Sequence, residues 1–471
     1  MPVIPFVGAS YEMEARTFDS QRCVNLFPII SESGTSKSVA ALRSTSGTRL
    51  FAEFGTGAIR GGIESQNRAF FVSGAELYEL FADGTTTLRG SLDTSVGLVD
   101  IEENPTQIMI TDGQFGYIYN KVTNVLTKIT DSDFPVPSDL TFQDGYFIVT
   151  IKDSSTFAIS AINDGLSWDL SDRQTVESNP DNLVGIKSDS SNLWLFGTKT
   201  TEVFQNTGNA TFPFQRIPGA VVETGCAAQS TIQEINNEVY WLGTDDNGDA
   251  ILWKSNGYSA TRASTQPIER KIAESTNVSE SYAWVYHERG HAFYLLQVKG
   301  LNTTLVLDVA NGLWHERSYR DPSLFETQQH RGSCHIFFRQ KHLIGDRQFG
   351  KVYELRLDVY DDDGDPIVRT RTSPHIDDER RLVTHAQLEL DMETGIGLQD
   401  GQGSIPKIMM QYSDDGGRTW SDELWRDIGR IGEYKTRVKW NKLGRSRDRV
   451  YRVSTSDPVF IQINEAILNG S

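Results

Sequence analysis

Cysteine is scarce in this 471-residue chain: Cys23, Cys226 and Cys334 are the only three. Thiols this few, odd in number and far apart do not form a disulfide framework, and they read as reduced thiols of a protein made in a cytoplasm. Long apolar runs are missing as well. No stretch approaches the ~20 residues a membrane helix needs, so no membrane span is expected. Residues 1–10, MPVIPFVGAS, lack the basic region that precedes the apolar core of a signal peptide. Net positive charge is absent: the formal balance is −18, which argues against free DNA as a ligand of the whole surface. Helical periodicity is almost absent too. The one convincing helix runs over 266–273, with Ser264 or Thr265 as a candidate cap and Pro267 in the first turn.

What the chain does have is strand-forming sequence in a repeating unit. Residues 181–217 set the pattern. A first strand ends in a polar turn at 189–192. An apolar run over 193–197, too short for a helix, suits a strand buried on both faces. A third strand alternates around Val203 and Phe204, and a short fourth over 212–217 carries Pro213, which suits an edge strand. Four antiparallel strands with the inner ones most apolar describe a β-propeller blade. Similar units lie at 59–92, 97–129, 139–170, 230–264, 281–318 and 330–372. That spacing is the ~40–50 residues of propeller blades. A blade cannot bury its own faces, and stacking around a ring is the physical reason for the repetition. The expectation is an all-β chain: a propeller of about seven four-stranded blades, with six blades plus one stray hairpin unit as the rival count.

The ends break this rhythm. Residues 1–57 read as an arm plus the strand that enters the ring, 58–376 as the propeller, and 377–471 as a separate β-sandwich.

Four motifs invite a chemical reading. His287-Glu288-Arg289-Gly290-His291 matches the H-E-x-x-H string of zinc proteases. That chemistry needs both histidines on one helical turn, whereas the flanks here are aromatic and β-branched, so a hairpin turn is expected. Ser413, Asp415, Gly417 and Trp420 form an Asp-box, with a looser copy at 163–168. Such boxes stabilise hairpin turns; they are common in sialidase propellers, away from the active site. The acidic runs 361–365 and 245–249 resemble calcium loops but lack the EF-hand residues at the first and closing positions. No nucleophile elbow or phosphate loop occurs. Catalytic residues, cofactors and metal ligands are therefore not expected, and the chain reads as a non-enzyme.

Charge is uneven along the chain. Residues 426–452 carry a local charge of +7, leaving −25 on the rest. Arg445, Arg447 and Arg449 alternate there, and in an extended strand all three would share one face. They are the candidate docking face, to be met by acidic groups of this chain, of a neighbouring subunit or of another protein.

CVNLFP, ESNPDNLVGI, LWLFGTKTTEVFQNTG, FPFQRI, TGCAA, VYWLG, TRASTQPIE, GHAFY, WHERS, SDDGGRTW and WNKLGRSRDRVYRV follow one another along the chain. Together they resemble the packaged-DNA stabilisation, or tail accessory and nozzle, proteins of short-tailed bacteriophages (podoviruses). The resemblance implies a structural virion protein of the tail, made in the host bacterial cytoplasm. It implies a homo-oligomer, a six-fold ring below the portal and adaptor proteins, which extends the DNA channel and retains the packaged genome. It also implies contacts with tail fibre, spike or needle proteins, and genomic DNA that passes without specific binding. No catalytic residue comes with it. The competing readings are a glycan-active propeller, such as a sialidase-like depolymerase, and a protein-binding propeller.

Overall fold

Strand-rich sequence becomes antiparallel sheet almost throughout the computed structural model, which describes residues 3–470 except 34, 56, 177–180, 190, 246–247 and 324–325. Parts of the expected turn at 189–192, of the acidic run at 245–249 and of ESNPDNLVGI lie outside the described residues.

The protein is all-β, a propeller followed by a β-sandwich. Six blades are each made of four strands consecutive in the chain, over residues 59–91, 100–128, 137–175, 183–222, 233–262 and 282–320. In the fourth blade, Asn192–Gly197 is buried on both faces, as its apolar run requires. Leu193 and Leu195 join a core with Phe157 of the third blade, while Trp194 and Phe196 join a core with Trp241 of the fifth. Each sheet therefore buries both faces against its two neighbours. The outer strand is Phe214–Val222; Pro213 stands just before it, and Pro218 lies in the strand on the blade's outer edge, where a missing N–H costs no ladder bond.

The seventh repeat is not a self-contained blade. Gly332–Phe338, Lys341–Asp346 and Lys351–Arg356 form three strands, and the fourth is Gly47–Glu53, from the other end of the propeller. The expected fourth strand, Arg369–Thr372, pairs elsewhere. The ring thus has six blades of local origin, not the expected seven or so, and is closed by a composite sheet. Joining the two ends of the propeller lets that sheet cover blade one through Ile336 and Phe71, and blade six through Ile344 and Phe293.

Helix Gln266–Ala273 lies between blades five and six and buries Ile268 and Ile272 against them. Neither expected cap side chain accepts from the free N–H groups of its first turn. Thr265 is extended without a side-chain cap bond, and Ser264 Oγ bonds Glu269 Oε1 at 2.6 Å instead.

The sandwich is not built from the C-terminal residues alone. One sheet runs Leu26–Ile30, Ala40–Ser44, Gln462–Gly470, Val383–Met392, Val438–Asn441, so the arm supplies two of these strands. The other continues from blade six through Ser20–Val24 and Arg369–Thr372 to Asp448–Thr455, Lys407–Ser413 and Leu424–Asp427. Trp440, Tyr451 and Leu388 form the core between them, together with Ile4, Phe6, Leu26 and Leu42 of the arm.

Candidate docking surface and central cavity

The three arginines of the basic segment do not share one face. Arg445 sits on the two-residue strand Arg445–Ser446, exposed, and Ser446 beside it turns inward to His385 Nε2 at 2.8 Å. The chain bends at Arg447, also exposed, whose Nη1 donates to Arg380 O at 2.8 Å. Beyond the bend the strand Asp448–Thr455 begins, and Arg449 is only 2% exposed. Its Nε and Nη2 donate to both oxygens of Asp414 at 2.6 and 2.7 Å. A bend resets the two-residue alternation on which the expectation rested. Arg449 therefore leaves the docking face and fastens the neighbouring turn. Arg437 is neutralised as well, by Glu389 at 2.7 and 2.6 Å. Arg445 and Arg447 meet no carboxylate among the described residues. Arg380, exposed and brought beside them by the turn before Val383–Met392, is a member of the patch that sequence reasoning missed. Its only sequence signal is the run DDERR at 377–381, where acids and arginines look self-cancelling.

The other motifs are structural. His287 and His291 flank a hairpin in which Glu288 pairs with His291, and Arg289 and Gly290 take positive φ of 49° and 84°. His287 bonds Asn236 Oδ1 at 2.9 Å, while His291 bonds Asp308 Oδ2 at 2.7 Å. The two imidazoles thus serve different partners. Glu288 is buried and accepts from Ser46 Oγ at 2.7 Å. In the Asp-box, Ser413 Oγ accepts from Gly417 N at 2.8 Å and Asp415 accepts from the N–H groups of Arg418 and Thr419, both at 2.9 Å. These bonds, that of the Thr419 hydroxyl first, hold the Asp415 carboxyl well below its usual range. The looser copy behaves alike: Trp168 is buried and its Nε1 donates to Gly165 O at 2.8 Å. The 361–365 run is a hairpin whose acids are taken by protein groups, Asp361 by Arg49, Asp362 by Thr48 and Asp365 by Arg331.

The first strands of the sheets line the ring axis, where a cavity of 240 Å³ remains. Asp139 is held there by the N–H groups of Leu140 and Ile186, at 2.8 and 2.7 Å. Burial nevertheless pushes its carboxyl up to about 7. Burial and the neighbouring Asp139 hold Asp100 well above its usual range, and Gln229 Nε2 donates to Asp100 Oδ2 at 3.0 Å. Lys187 lies 3.6 Å from Glu102. A space of 240 Å³ cannot take a duplex whose major groove alone is about 12 Å wide.

Comparison with known families gives two matches. The profile described as bacteriophage P22 Gp10, β-propeller, matches residues 2–360, and that described as bacteriophage P22 Gp10, β-sandwich, matches residues 369–470. Among solved structures the chain is similar to the computationally designed Ika8 protein, with TM-score 0.41 and 10% identity over 66% of this chain and 100% of that one. It is similar to the extracellular domain of a hybrid two-component system from B. thetaiotaomicron, with TM-score 0.45 and 6% identity over 66% and 40%. The WD40 β-propeller domain of Doa1 gives TM-score 0.42 and 11% identity over 66% and 97%. No curated protein matches.

Proposed function

The chain belongs to the bacteriophage P22 Gp10 family, and from that premise we propose that it is the tail nozzle subunit of a short-tailed phage. Membership makes it a structural tail protein of the virion. The finer reading is a six-fold ring below the portal and adaptor that extends the DNA channel, retains the packaged genome and anchors tail fibres, spikes or a needle. The observation that carries it is the pair of family matches, which cover the propeller and the sandwich in order and together span nearly the whole chain. No helix among the described residues is long and apolar enough to cross a membrane.

Two physical features support the reading. Because the propeller axis is too narrow for a duplex, a DNA path has to lie between copies, and subunits that each carry a net charge of −18 would let a polyanion pass without holding it. Arg445 and Arg447 are exposed cations without a carboxylate partner among the described residues. Guanidinium groups pair bidentately with carboxylates, so an acidic surface of a neighbouring copy or of the adaptor is their natural complement. Changing Arg445 and Arg447 to Glu is expected to leave a folded protein that fails to join its ring or portal complex, and virions then lose DNA after packaging. Particles carrying the double variant at normal copy number with intact genomes would refute this docking role.

A further inference from the structure

The long sheet that joins blade six to the sandwich has one face that is not covered by a core. Cross-strand pairing sets Arg22 opposite Thr372, Thr372 opposite Arg452, and Arg452 opposite Gln411. These four side chains form one row across four strands, and Thr370 and Ser454 stand side by side in the next row. The alternate residues Cys23 and Val453 point the other way, into the sandwich core. With strands ~4.8 Å apart, the face is a ladder of hydroxyl, amide and guanidinium groups. The Asp-box turn with Trp420 forms one wall and the arm, through Arg16, another, enclosing a cleft of 540 Å³. Small-ligand sites run from ~300 to 1,000 Å³.

Glu12 and Glu423 also line this cleft, Glu12 against Arg16 and Arg22, but hydrogen bonding there is incomplete. Arg22 is held by both oxygens of Glu316. Arg452 lies 3.9 Å over the Trp420 ring and gives Nη2 to Gln411 Oε1 at 2.7 Å, but it bonds no carboxylate among the described residues. Burial, and then the nearby Arg22, disfavour its charge; Glu423 alone acts the other way. Ser20, on the same face, is 5% exposed, and its Oγ has no hydrogen-bond partner among the described residues. A buried hydroxyl without a partner is a group awaiting one.

We propose that this cleft binds an acidic sugar, its carboxylate on the Arg452 guanidinium and its ring hydroxyls on Ser20, Thr370, Thr372 and Ser454. A planar carboxylate matches the arginine fork in two parallel bonds. An inorganic anion would use the arginine and leave the hydroxyl ladder idle, and a neutral sugar would use the ladder and leave the charge unmet. The site is independent of the tail reading, since it rests on the sheet face alone.

Isothermal titration of the full chain with glucuronate, glucose and inorganic phosphate tests this. Glucuronate is expected to bind saturably, with glucose and phosphate each at least roughly tenfold weaker, about the value of one charged hydrogen-bonded contact. Arg452→Gln should weaken glucuronate by a similar factor, and Ser20→Ala should weaken it measurably at an unchanged melting temperature. If Arg452→Gln does not fold, Ser20→Ala and the two control ligands decide. No binding of glucuronate, equal binding of glucose or phosphate, or full affinity in Ser20→Ala would each overturn the proposal.

Discussion

Glu316 shows how much one residue can organise. It is fully buried and accepts from Arg22 Nη2 at 2.6 Å, Lys271 Nζ at 2.7 Å and Ser10 Oγ at 3.2 Å. It thereby ties blade six to the arm and to the helix. Burial alone would raise its carboxyl, but Lys271 and then Arg22 more than offset this and leave it well below the usual range. Removing it leaves Arg22 and Lys271 with only the longer contacts to Glu12, at 3.6 and 3.5 Å, so Glu316→Ala is expected to cost about 3–5 kcal/mol in denaturant unfolding. The sign with pH follows from linkage. The folded carboxyl titrates below its unfolded value of ~4.3, so its contribution is present above that pH and is lost as pH falls. Glu316→Gln should therefore show a shallower loss of melting temperature below about pH 4 than the parent; a parallel loss would contradict the assignment. Its importance was invisible in the sequence, where WHERS is one polar strand among many. The hairpin at His287–His291 was legible, because its aromatic and β-branched flanks exclude a helix. That hairpin points to a second outcome. The purified protein is expected to hold no stoichiometric zinc, and Glu288→Gln should fold and assemble normally because it can still bond Ser46. One zinc per chain by elemental analysis would reverse this.

Among the elements, the apolar second strands form where their composition places them. Trp194, Trp241 and Phe293 are all buried, and each lies on the second strand of its blade. Trp241 packs 5.2 Å from Phe196 of the preceding blade and donates Nε1 to Gly225 O at 3.2 Å. Trp241→Ala is expected to cost about 3–5 kcal/mol, visible as a lower denaturation midpoint; an unchanged midpoint would contradict the register. The fourth strand of the last repeat differs from the sequence expectation for a definite reason. Strand propensity does not state a partner, so it does not choose between Arg369–Thr372 and Gly47–Glu53 for Lys351–Arg356. Only closure of the ring chose between them.

The whole molecule couples its two parts through the arm. Residues 369–470 match a β-sandwich family on their own, yet their sheets are completed by Leu26–Ile30 and Ala40–Ser44, and their core by Phe6 and Leu42. Expressed alone, residues 369–470 are expected to expose that core and to lack a cooperative melt, and a fragment with residues 3–46 supplied in trans should recover it. Near-ultraviolet circular dichroism on the two samples checks this, and a cooperative melt of the isolated fragment would show that the arm is dispensable.

The strand content, the blade repeat, the hairpin nature of the motifs and the family resemblance were all determined by the sequence alone. These depend on alternation, turn residues and spacing, which are local quantities. Tertiary structure decided which strand closes the ring, that the arm belongs partly to the sandwich, that Arg449 turns inward while Arg445 and Arg447 stay exposed, and that Arg452 overlooks an unfilled cleft. Each of these depends on pairing between residues distant in the chain, or on a single bend that shifts side-chain parity. The free energy separating such alternatives lies in burial and ion pairing that exist only once the sheets have met.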